Sequence, residues 1–261
     1  MIVTTSQAPH EQLLAYAESL ATELNATLVP RRQMSVRKLM ERIGTPFMLV
    51  ATENELRLYE HDKLEKPFIY HPSMALPKLK AMLQGTEESL IKYSGCEQGD
   101  VVLDCTAGLC SDSLLFSLAA GDSGKVIALE SEQLLYIVVR EGLAHYKVEP
   151  AVIEQAMRRI ELTLADHEQF LSTLADRSVD IVYFDPMFRQ PLHESSAIGS
   201  IRDMANKHAL TQATIEQAKR VARKCVLLKE HSMSDEFERL GFERCQLQRG
   251  QRVAYGKIEV S

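Results

Sequence analysis

The sequence predicts an α/β fold in which a doubly wound, mostly parallel sheet ends in an antiparallel hairpin. Short apolar runs alternate with helical segments from about residue 95 onward. Strands separated in this way are joined by right-handed crossovers into a parallel sheet. Near the end of the chain, two strand-like runs flank Gly250 with no room for a helix between them. Because a parallel pair needs a long crossover, this last pair must be antiparallel.

The segments of this sheet follow one another from Val101. The predicted strands are Val101–Cys105, Lys125–Glu130, Arg159–Leu164, Val179–Phe184 and Cys225–Lys229, and the hairpin strands are Glu243–Gln248 and Arg252–Glu259. The predicted helices are Ser111–Ala120, Glu132–His145, Glu168–Ala175 and Thr211–Ala222. Residues 96–261 are therefore expected to form the main domain.

Residues 1–95 are predicted to form a small N-terminal α+β subdomain. Leucine and alanine recur at helical spacing, which predicts an amphipathic helix over His10–Leu24. The remaining predicted elements are the strands Phe47–Ala51 and Glu55–Tyr59 and the helix Leu76–Gln84, after which Glu88–Tyr93 leads into the main domain. The sequence shows no internal repeat and no low-complexity linker, so we expect the two units to pack together.

The composition is that of an ordinary globular protein, with 45% hydrophobic and 25% charged residues. No apolar run approaches the ~20 residues that span a bilayer, and Met1–His10 has no secretory signal pattern. The five cysteines lack C-x-x-C spacing, which argues against disulfides and zinc. We therefore expect a cytoplasmic protein with neither a membrane partner nor a metal.

The formal net charge of −6 does not indicate a nucleic-acid-binding protein, but the charge is uneven. Residues 1–95 hold 11 basic and 11 acidic residues, so the whole excess lies in residues 96–261. The balanced part contains a basic cluster, which consists of Arg31, Arg32, Arg37, Lys38 and Arg42. This cluster is either a phosphate-binding surface or a solvated helix face.

The segment Val101–Asp112 runs from a predicted strand through a turn into a helix. Parallel sheets place ligands at the carboxyl ends of their strands, and the small residues Thr106, Ala107 and Gly108 allow a close approach. A pyrophosphate favours a glycine-rich turn, whereas this turn has one glycine and an acid, Asp104. The acid suits the cationic amino and sulfonium groups of S-adenosylmethionine. The alternative is an acidic turn that only caps the helix.

Two further acids end neighbouring strands. Glu130 follows Asp104 by 26 residues and is placed to accept two ribose hydroxyls, while Asp166 is placed to accept from the adenine amino group. Each alone is more often a surface carboxylate, but three acids at strand ends of one sheet favour a cofactor site. The terminal hairpin also favours a methyltransferase over a dehydrogenase, because dehydrogenases usually continue the sheet with a parallel strand.

The turn Asp185-Pro186-Met187-Phe188 follows the fourth strand beside this site. An exocyclic amine of a nucleobase is a poor nucleophile, because its lone pair is delocalised into the ring. The Asp185 side chain and the Pro186 carbonyl can accept its hydrogens, and Phe188 can stack on the base. These three residues are the predicted catalytic group. The alternative is a structural turn after a buried strand.

Three motifs together resemble the bacterial small-subunit (16S) ribosomal RNA guanine-N2 methyltransferase J family. They are D-C-T-A-G-L at Asp104–Leu109, D-P-M-F at Asp185–Phe188 and H-P-S-M-A at His71–Ala75, and the resemblance extends over about residues 68–231. It implies a guanine amino group as the acceptor and the small ribosomal subunit or its RNA as the partner. It also implies cofactor contacts at Ser111, Asp112, Glu130, Ser131, Asp166, His167 and Asp185. His71, Arg189 and Lys229 are the candidate substrate contacts.

Two departures from the family pattern leave alternatives open. The turn reads Cys110-Ser111-Asp112 where the family has Gly-Arg-Asp, and Lys229-Glu230 stands where the family has a basic pair. The alternatives are a methyltransferase that acts on a small molecule and a non-catalytic ribosome-assembly factor that binds the cofactor or RNA. An NAD-dependent dehydrogenase is a weaker alternative. The sequence does not give the modified nucleotide or the oligomeric state.

Overall fold

The structure is a computed structural model that describes residues 1–72, 74–186, 209–246 and 252–260. Its chain divides into two compact units. The first comprises residues 1–71 and 137–147, and the second comprises residues 72–136 and 148–261. The sequence predicts a boundary near residue 95, whereas this division places residues 72–95 in the second unit. An independent role for residues 1–95 stays a prediction.

The first unit is built on a five-stranded mixed sheet. Its strands are β1 (Ile2–Thr5), β2 (Thr27–Leu28), β3 (Phe47–Ala51), β4 (Leu56–Glu60) and β5 (Phe68–Ile69), and its helices are α1 (Glu11–Glu23) and α2 (Val36–Ile43). The spatial order is β2-β1-β3-β4-β5. β1 runs parallel to β2 and β3, while β3, β4 and β5 form an antiparallel meander.

Polar side chains cap the amino ends of helices α1 and α2. His10 Nδ1 accepts a hydrogen bond from the amide of Leu13, and Ser35 Oγ accepts one from the amide of Lys38. Such caps satisfy amides that have no partner inside the helix. Helix α2 then buries Leu39 and Met40 against Met48 of β3. The apolar face of α2 therefore covers the sheet, while its basic residues remain on the outside.

The second unit is built on a seven-stranded sheet. Its strands are β6 (Val101–Asp104), β7 (Lys125–Glu130), β8 (Ile160–Leu164), β9 (Val179–Phe184), β10 (Ala222–His231), β11 (Glu243–Arg244) and β12 (Val253–Glu259). Its helices in the described residues are α3 (Leu76–Leu83), α4 (Ser89–Ser94), α5 (Ser111–Ala120), α6 (Gln133–His145), α7 (Ala151–Arg159), α8 (His167–Thr173), α9 (Gln212–Val221) and α10 (Glu236–Leu240). Helix α6 begins in this unit and ends in the first.

The strand order of this sheet is β11-β12-β10-β9-β6-β7-β8. The five strands β6 to β10 are parallel, so their carboxyl ends all lie at one edge of the sheet. β12 is antiparallel to both β10 and β11. The predicted parallel sheet with a terminal antiparallel hairpin is confirmed. The last strand of the chain, β12, lies between β10 and β11, and β11 is the outermost strand.

Alternating residues of each strand are buried on opposite faces of this sheet. One face packs Leu103, Val182 and Val226 against α8, α9 and α10. On the other face the ring of Tyr183 meets the ring of Phe116 in α5, with the centroids 5.2 Å apart. Because both faces carry helices, the central strands β6 and β7 are apolar except at their ends, whereas β8 at the edge of the sheet contains Glu161 and Thr163.

Several elements escape the sequence prediction. The strands β1, β2 and β5 and the helices α2, α4, α7 and α10 are present but were not predicted. Of the predicted strand Glu243–Gln248, the described residues show Glu243–Arg244 as strand, and Leu247 and Gln248 lie outside the described residues. Every other predicted element within the described residues is found to within two or three residues of its expected ends. Among the described residues, no helix has the length and apolar character needed to cross a membrane.

Candidate active site

The turn between β6 and α5 is organised by the buried carboxylate of Asp104. Its Oδ1 accepts from the amide of Thr106 at 3.1 Å, and its Oδ2 accepts from Ser113 Oγ at 2.5 Å. Gly108 and Cys110 in this turn both have positive φ, 50° and 58°. At Gly108 an added Cβ would meet nothing within 4 Å, so the backbone borders open space there. The turn therefore presents bare backbone beside an acid.

Burial raises the pKa of Asp104 to about 7, against the effect of the hydrogen bonds from Ser113 and Thr106. The negative charges of Asp112 and Asp185 add to this rise. An acid in such surroundings gains by acquiring a cation as neighbour, since the cation offsets the lost hydration. A positively charged ligand at this turn would stabilise the ionised form of Asp104.

Glu130 ends β7 next to this turn and is almost completely buried. Its Oε1 accepts from the amide of Glu132 at 2.8 Å, and the amides of Ser131 and Gly108 also act on the carboxylate. Burial raises the pKa of Glu130 above its ordinary value. The contact with Gly108 joins the ends of β6 and β7, so the two acids border the same turn.

Asp166 follows β8 and begins helix α8. Its Oδ1 accepts from the amides of Glu168 at 3.0 Å and Gln169 at 3.2 Å, which makes it the cap of the helix. The next residue, His167, lies edge-on to the ring of Phe184 at the end of β9, with a centroid distance of 5.9 Å. Burial lowers the pKa of His167, which favours the neutral imidazole.

The turn after β9 is joined to the turn after β6. The amide of Asp185 donates to Thr106 Oγ1 at 2.6 Å, and the amide of Cys105 donates to the carbonyl of Tyr183 at 2.9 Å. These bonds connect two adjacent strand ends. The backbone of Asp185 is thereby fixed beside the turn that carries Asp104.

A buried ionic cluster lies directly behind this junction. Lys229 Nζ on β10 donates to Asp112 Oδ2 at 2.6 Å and to Asp185 Oδ2 at 2.7 Å. The Tyr183 hydroxyl donates to the same Asp112 oxygen at 2.6 Å. The side chains of Lys229, Asp112 and Asp185 are 18%, 11% and 28% exposed, respectively. Asp185 is thus the member of the cluster that reaches furthest toward solvent.

The opposite charges of Lys229 and the two carboxylates stabilise one another in the cluster. Burial disfavours the ammonium of Lys229, but the Asp185 and Asp112 carboxylates outweigh burial and keep its pKa well above the ordinary value. For Asp112, burial is outweighed by attraction to Lys229, which lowers the pKa of the acid. For Asp185, burial and repulsion from Asp112 together outweigh Lys229 and raise its pKa. The two acids therefore differ in basicity, and Asp185 is the more basic.

The structure brings all of the predicted cofactor residues to one edge of the sheet. They lie at the ends of β6, β7, β8 and β9 or in the first turn of α5, and they comprise Asp104, Thr106, Ala107, Gly108, Ser111, Asp112, Glu130, Ser131, Asp166, His167 and Asp185. Pro186 and Lys229 lie at the same edge. Phe188 and Arg189 lie outside the described residues. The roles assigned to all of these residues stay predictions.

His71 belongs to the first unit. It is exposed, and its ring lies edge-on to that of Tyr146 at a centroid distance of 5.3 Å.

Three residues of the site were not predicted to contribute to it. The ring of Tyr183 lies in the core, and its hydroxyl bonds to Asp112. Ser113 holds Asp104, and Tyr255 of β12 lies close enough to Lys229, Asp112 and Asp185 for their charges to act on its hydroxyl. A signal was present for Tyr183, because a buried tyrosine in an apolar strand needs a hydrogen-bond partner.

The donor set at this edge fits S-adenosylmethionine. Acids end three neighbouring strands, and the turn between β6 and α5 offers open backbone at Gly108 instead of a glycine-rich phosphate cradle. Buried carboxylates with raised pKa values favour a cationic ligand. Among the described residues, no group of three or more His, Cys, Asp or Glu side chains could hold a metal ion.

A family model described as "Putative SAM-dependent methyltransferase" matches residues 33–241. The chain belongs to this family. The protein is therefore an S-adenosylmethionine-dependent methyltransferase with S-adenosylmethionine as its cofactor. A relative from Bacillus subtilis, named uncharacterized protein YpiP, is 37% identical over 92% of this chain and 93% of its own length.

Other family relatives carry a more specific name. A protein from Acinetobacter baumannii named ribosomal RNA small subunit methyltransferase J is 29% identical over 74% of this chain. The match covers 64% of that protein's length, so about a third of it has no counterpart in the match. A protein of the same name from Aliivibrio fischeri is also 29% identical, over 64% of this chain and 69% of its own.

The fold is shared with a solved methyltransferase. The crystal structure of the SAM-dependent methyltransferase NGO1261 from Neisseria gonorrhoeae superposes with a TM-score of 0.58 at 16% identity. The superposition covers 98% of this chain and 95% of that one. It supports the Rossmann-like methyltransferase fold predicted from the alternating strands and the terminal hairpin.

Proposed function

We propose that this methyltransferase acts on small-subunit ribosomal RNA and methylates the exocyclic N2 amine of a guanine. The observation that carries the proposal is the placement of Asp185. Its backbone is held by Thr106 beside the cofactor turn, and its partly exposed carboxylate is held by Lys229. The names of the relatives from Acinetobacter baumannii and Aliivibrio fischeri support RNA as the substrate class.

The chemistry of an exocyclic amine explains the acidic turn. The Asp185 carboxylate accepts one amine hydrogen and the Pro186 carbonyl accepts the other, which draws the nitrogen lone pair out of the ring system. Bound S-adenosylmethionine supplies an electrophilic methyl group at this edge of the sheet. The acceptor base must leave any helix to enter the site, as in other enzymes that act on bases. Orientation then accounts for most of the rate acceleration.

Methyl transfer is balanced by loss of a proton from the acceptor. The amine nitrogen forms a bond to the methyl carbon while the carbon–sulfur bond breaks and its electrons stay on sulfur. The nitrogen then sheds one proton, and the Asp185 carboxylate is placed to take it. The raised pKa of Asp185 suits it to this transient role, since a more acidic carboxylate would be a poorer acceptor.

Methylation of defined RNA tests the proposal. The purified protein is incubated with methyl-labelled S-adenosylmethionine and small-subunit RNA, or small subunits, from cells that lack its gene. We expect label in the RNA and, after digestion to nucleosides, label in N2-methylguanosine. Asp185→Ala should abolish transfer, while Asp176→Asn, a change in the turn that precedes β9 at the opposite edge of the sheet, should not.

Two results would contradict the proposal. Unlabelled RNA under conditions in which the protein binds S-adenosylmethionine would exclude RNA of the small subunit as the acceptor. Label in a ribose or in a base other than guanine would keep the RNA and exclude the amine. A small-molecule acceptor, which the net charge of −6 permits, would then be the next substrate class to examine.

A further inference from the structure

The role of Lys229 goes beyond the substrate contact that the sequence predicts for it. An exposed lysine that binds RNA phosphates needs its ammonium in solvent. Here the ammonium lies within 2.7 Å of one oxygen each of Asp112 and Asp185, and the side chain is 18% exposed. Its hydrogen-bonding capacity is therefore directed inward, at the residue proposed to hold the acceptor.

We propose that Lys229 is a positioning residue, which acts through Asp185 by holding that carboxylate ionised and fixed at the end of β9. The inference rests on the proposed role of Asp185. Asp112 completes the arrangement, because it binds the same ammonium and in turn accepts a hydrogen bond from the Tyr183 hydroxyl. The lysine itself touches neither the cofactor nor the acceptor.

The geometry explains why a cation is needed at this place. Asp112 and Asp185 each have an oxygen within 2.7 Å of the same nitrogen, so without the ammonium two carboxylates would share one buried site. Two acids in such a site cannot both ionise readily, and one of them retains a proton. Asp185 is the more basic of the pair and would be the one protonated. A protonated Asp185 would be a weaker acceptor for the amine hydrogen and could not take up the released proton.

The ionisable groups around Asp185 come from five elements. They are Lys229 on β10, Asp112 on α5, Tyr183 on β9, Asp104 at the end of β6 and Tyr255 on β12. The two tyrosines remain neutral because burial raises their pKa values, and Asp104 and Asp112 repel a charge on Asp185. A second cation, Lys78 of α3, also acts on Asp112 but is paired with Glu88 at 2.7 Å. Lys229 is the cation that contacts both Asp112 and Asp185, so its removal should raise the pKa of Asp185.

The first test follows the ionisation of Asp185 without any acceptor. The protein is labelled with ¹³C at the aspartate side-chain carboxyl, and the Asp185 signal is identified by its loss in Asp185→Asn. We expect the titration midpoint of Asp185 to rise by about one pH unit or more in Lys229→Met. Lys229→Arg, which keeps the charge, should restore a midpoint close to that of the wild type.

Two further variants make this test independent of one substitution. Asp112→Asn removes the repelling carboxylate and keeps Lys229, so the midpoint of Asp185 should move to lower pH. Lys224→Met is the matched control, because Lys224 lies on the same strand and binds two carboxylate oxygens of Asp100 at 2.8 Å each. That change should leave the midpoint of Asp185 in place. An unchanged midpoint in Lys229→Met and Asp112→Asn, both shown to be folded, would overturn the proposal.

The second test separates positioning from phosphate binding by kinetics on RNA. A positioning lysine predicts that Lys229→Met lowers kcat at neutral pH by about tenfold or more and regains activity as pH rises, with little change in KM. A phosphate contact predicts a higher KM, a loss that is equal at all pH values and a weaker salt dependence of RNA binding. The second pattern would overturn the proposal.

The two tests also distinguish this inference from the proposed acceptor. A shifted Asp185 midpoint together with unmethylated RNA would reject the RNA substrate and keep the electrostatic role of Lys229. Methylated RNA with an unshifted midpoint would reject the role of Lys229 and keep the substrate.

Discussion

Asp104 shows how a single buried carboxyl group links folding, cofactor binding and pH. Burial raises its pKa from 3.8 to about 7. Between these values the folded protein holds a proton that the unfolded chain has lost, so the contribution of Asp104 to the free energy of unfolding decreases as pH rises. Below about pH 4 Asp104 is protonated in both the folded and the unfolded state, so its ionisation does not change the free energy of unfolding. The fold therefore tolerates an unfavourable acid at the turn that borders the ligand.

The first prediction is that cofactor binding releases a proton from Asp104 near pH 7. A sulfonium and an amino group nearby favour the ionised carboxyl, so binding should release up to about half a proton at a pH equal to its pKa. Calorimetry at pH 7 in phosphate and in Tris, which differ in ionisation enthalpy, measures the release. Asp104→Asn should abolish the difference between the buffers. Equal binding enthalpies in both buffers for the wild type would contradict the prediction.

At the scale of one element, the residue that caps helix α8, Asp166, is also the predicted adenine contact. Within the described residues, the hydrogen bonds that reach the side-chain carboxylate of Asp166 all end at Oδ1. A carboxylate has a second oxygen, and Asp166 lies at the carboxyl edge of the sheet where the adenine is expected. The cap and the adenine contact can therefore be separated by replacing one oxygen.

The second prediction concerns two substitutions of Asp166. Asp166→Asn keeps an oxygen for the cap, so stability should change by no more than a few tenths of a kcal/mol, while the affinity for S-adenosylmethionine should fall by about tenfold. Asp166→Ala loses both functions, and its free energy of unfolding should also fall by about 1 kcal/mol. Urea denaturation and calorimetry measure the two quantities. Asp176→Asn, far from this edge, should change neither. Wild-type affinity in Asp166→Asn would show that Asp166 only caps the helix.

The elements themselves divide into those that the sequence indicates and those that it conceals. The strands β6, β7 and β9 are apolar runs that end in an acid or an Asp-Pro turn, so both their type and their ends could be predicted. Helix α7 was missed because Ala151–Arg159 has only nine residues and buries a narrow stripe, which includes Ile153 and Met157. β2 has only two residues, too few for any periodicity to show.

At the scale of the whole molecule, the order of the strands decides which side chains meet. The acids at strand ends could be predicted, since all parallel strands of one sheet end at the same edge. The cluster of Asp112, Asp185 and Lys229 could not, because these residues are 73 and 44 positions apart and meet only when β9 and β10 are neighbours and α5 returns over them. The resemblance to a family pointed to these residues, but it gave no indication that they contact one another.

The charges of the protein are distributed unevenly along the chain. The excess of negative charge lies in residues 96–261, whereas the basic cluster lies in the first unit. Arg32, Lys38 and Arg42 of this cluster are exposed, and Arg37 pairs with Glu65 at 3.4 Å. An acidic protein that binds RNA must hold the phosphates at a local basic surface. The cluster on and before α2 is the candidate surface for this contact.

The third prediction follows from the electrostatics of such a surface. RNA affinity should fall steeply with salt, and replacing Arg32, Lys38 and Arg42 by glutamine should reduce the slope of log K against log salt by about 2 if all three contact phosphates. Filter binding between low and physiological salt measures the slope. A triple replacement of the exposed residues Lys80, Lys92 and Lys125, which removes the same charge elsewhere, is the matched control. If both triple variants lose the same slope, the RNA senses net charge only, and the basic cluster is a solvated helix face.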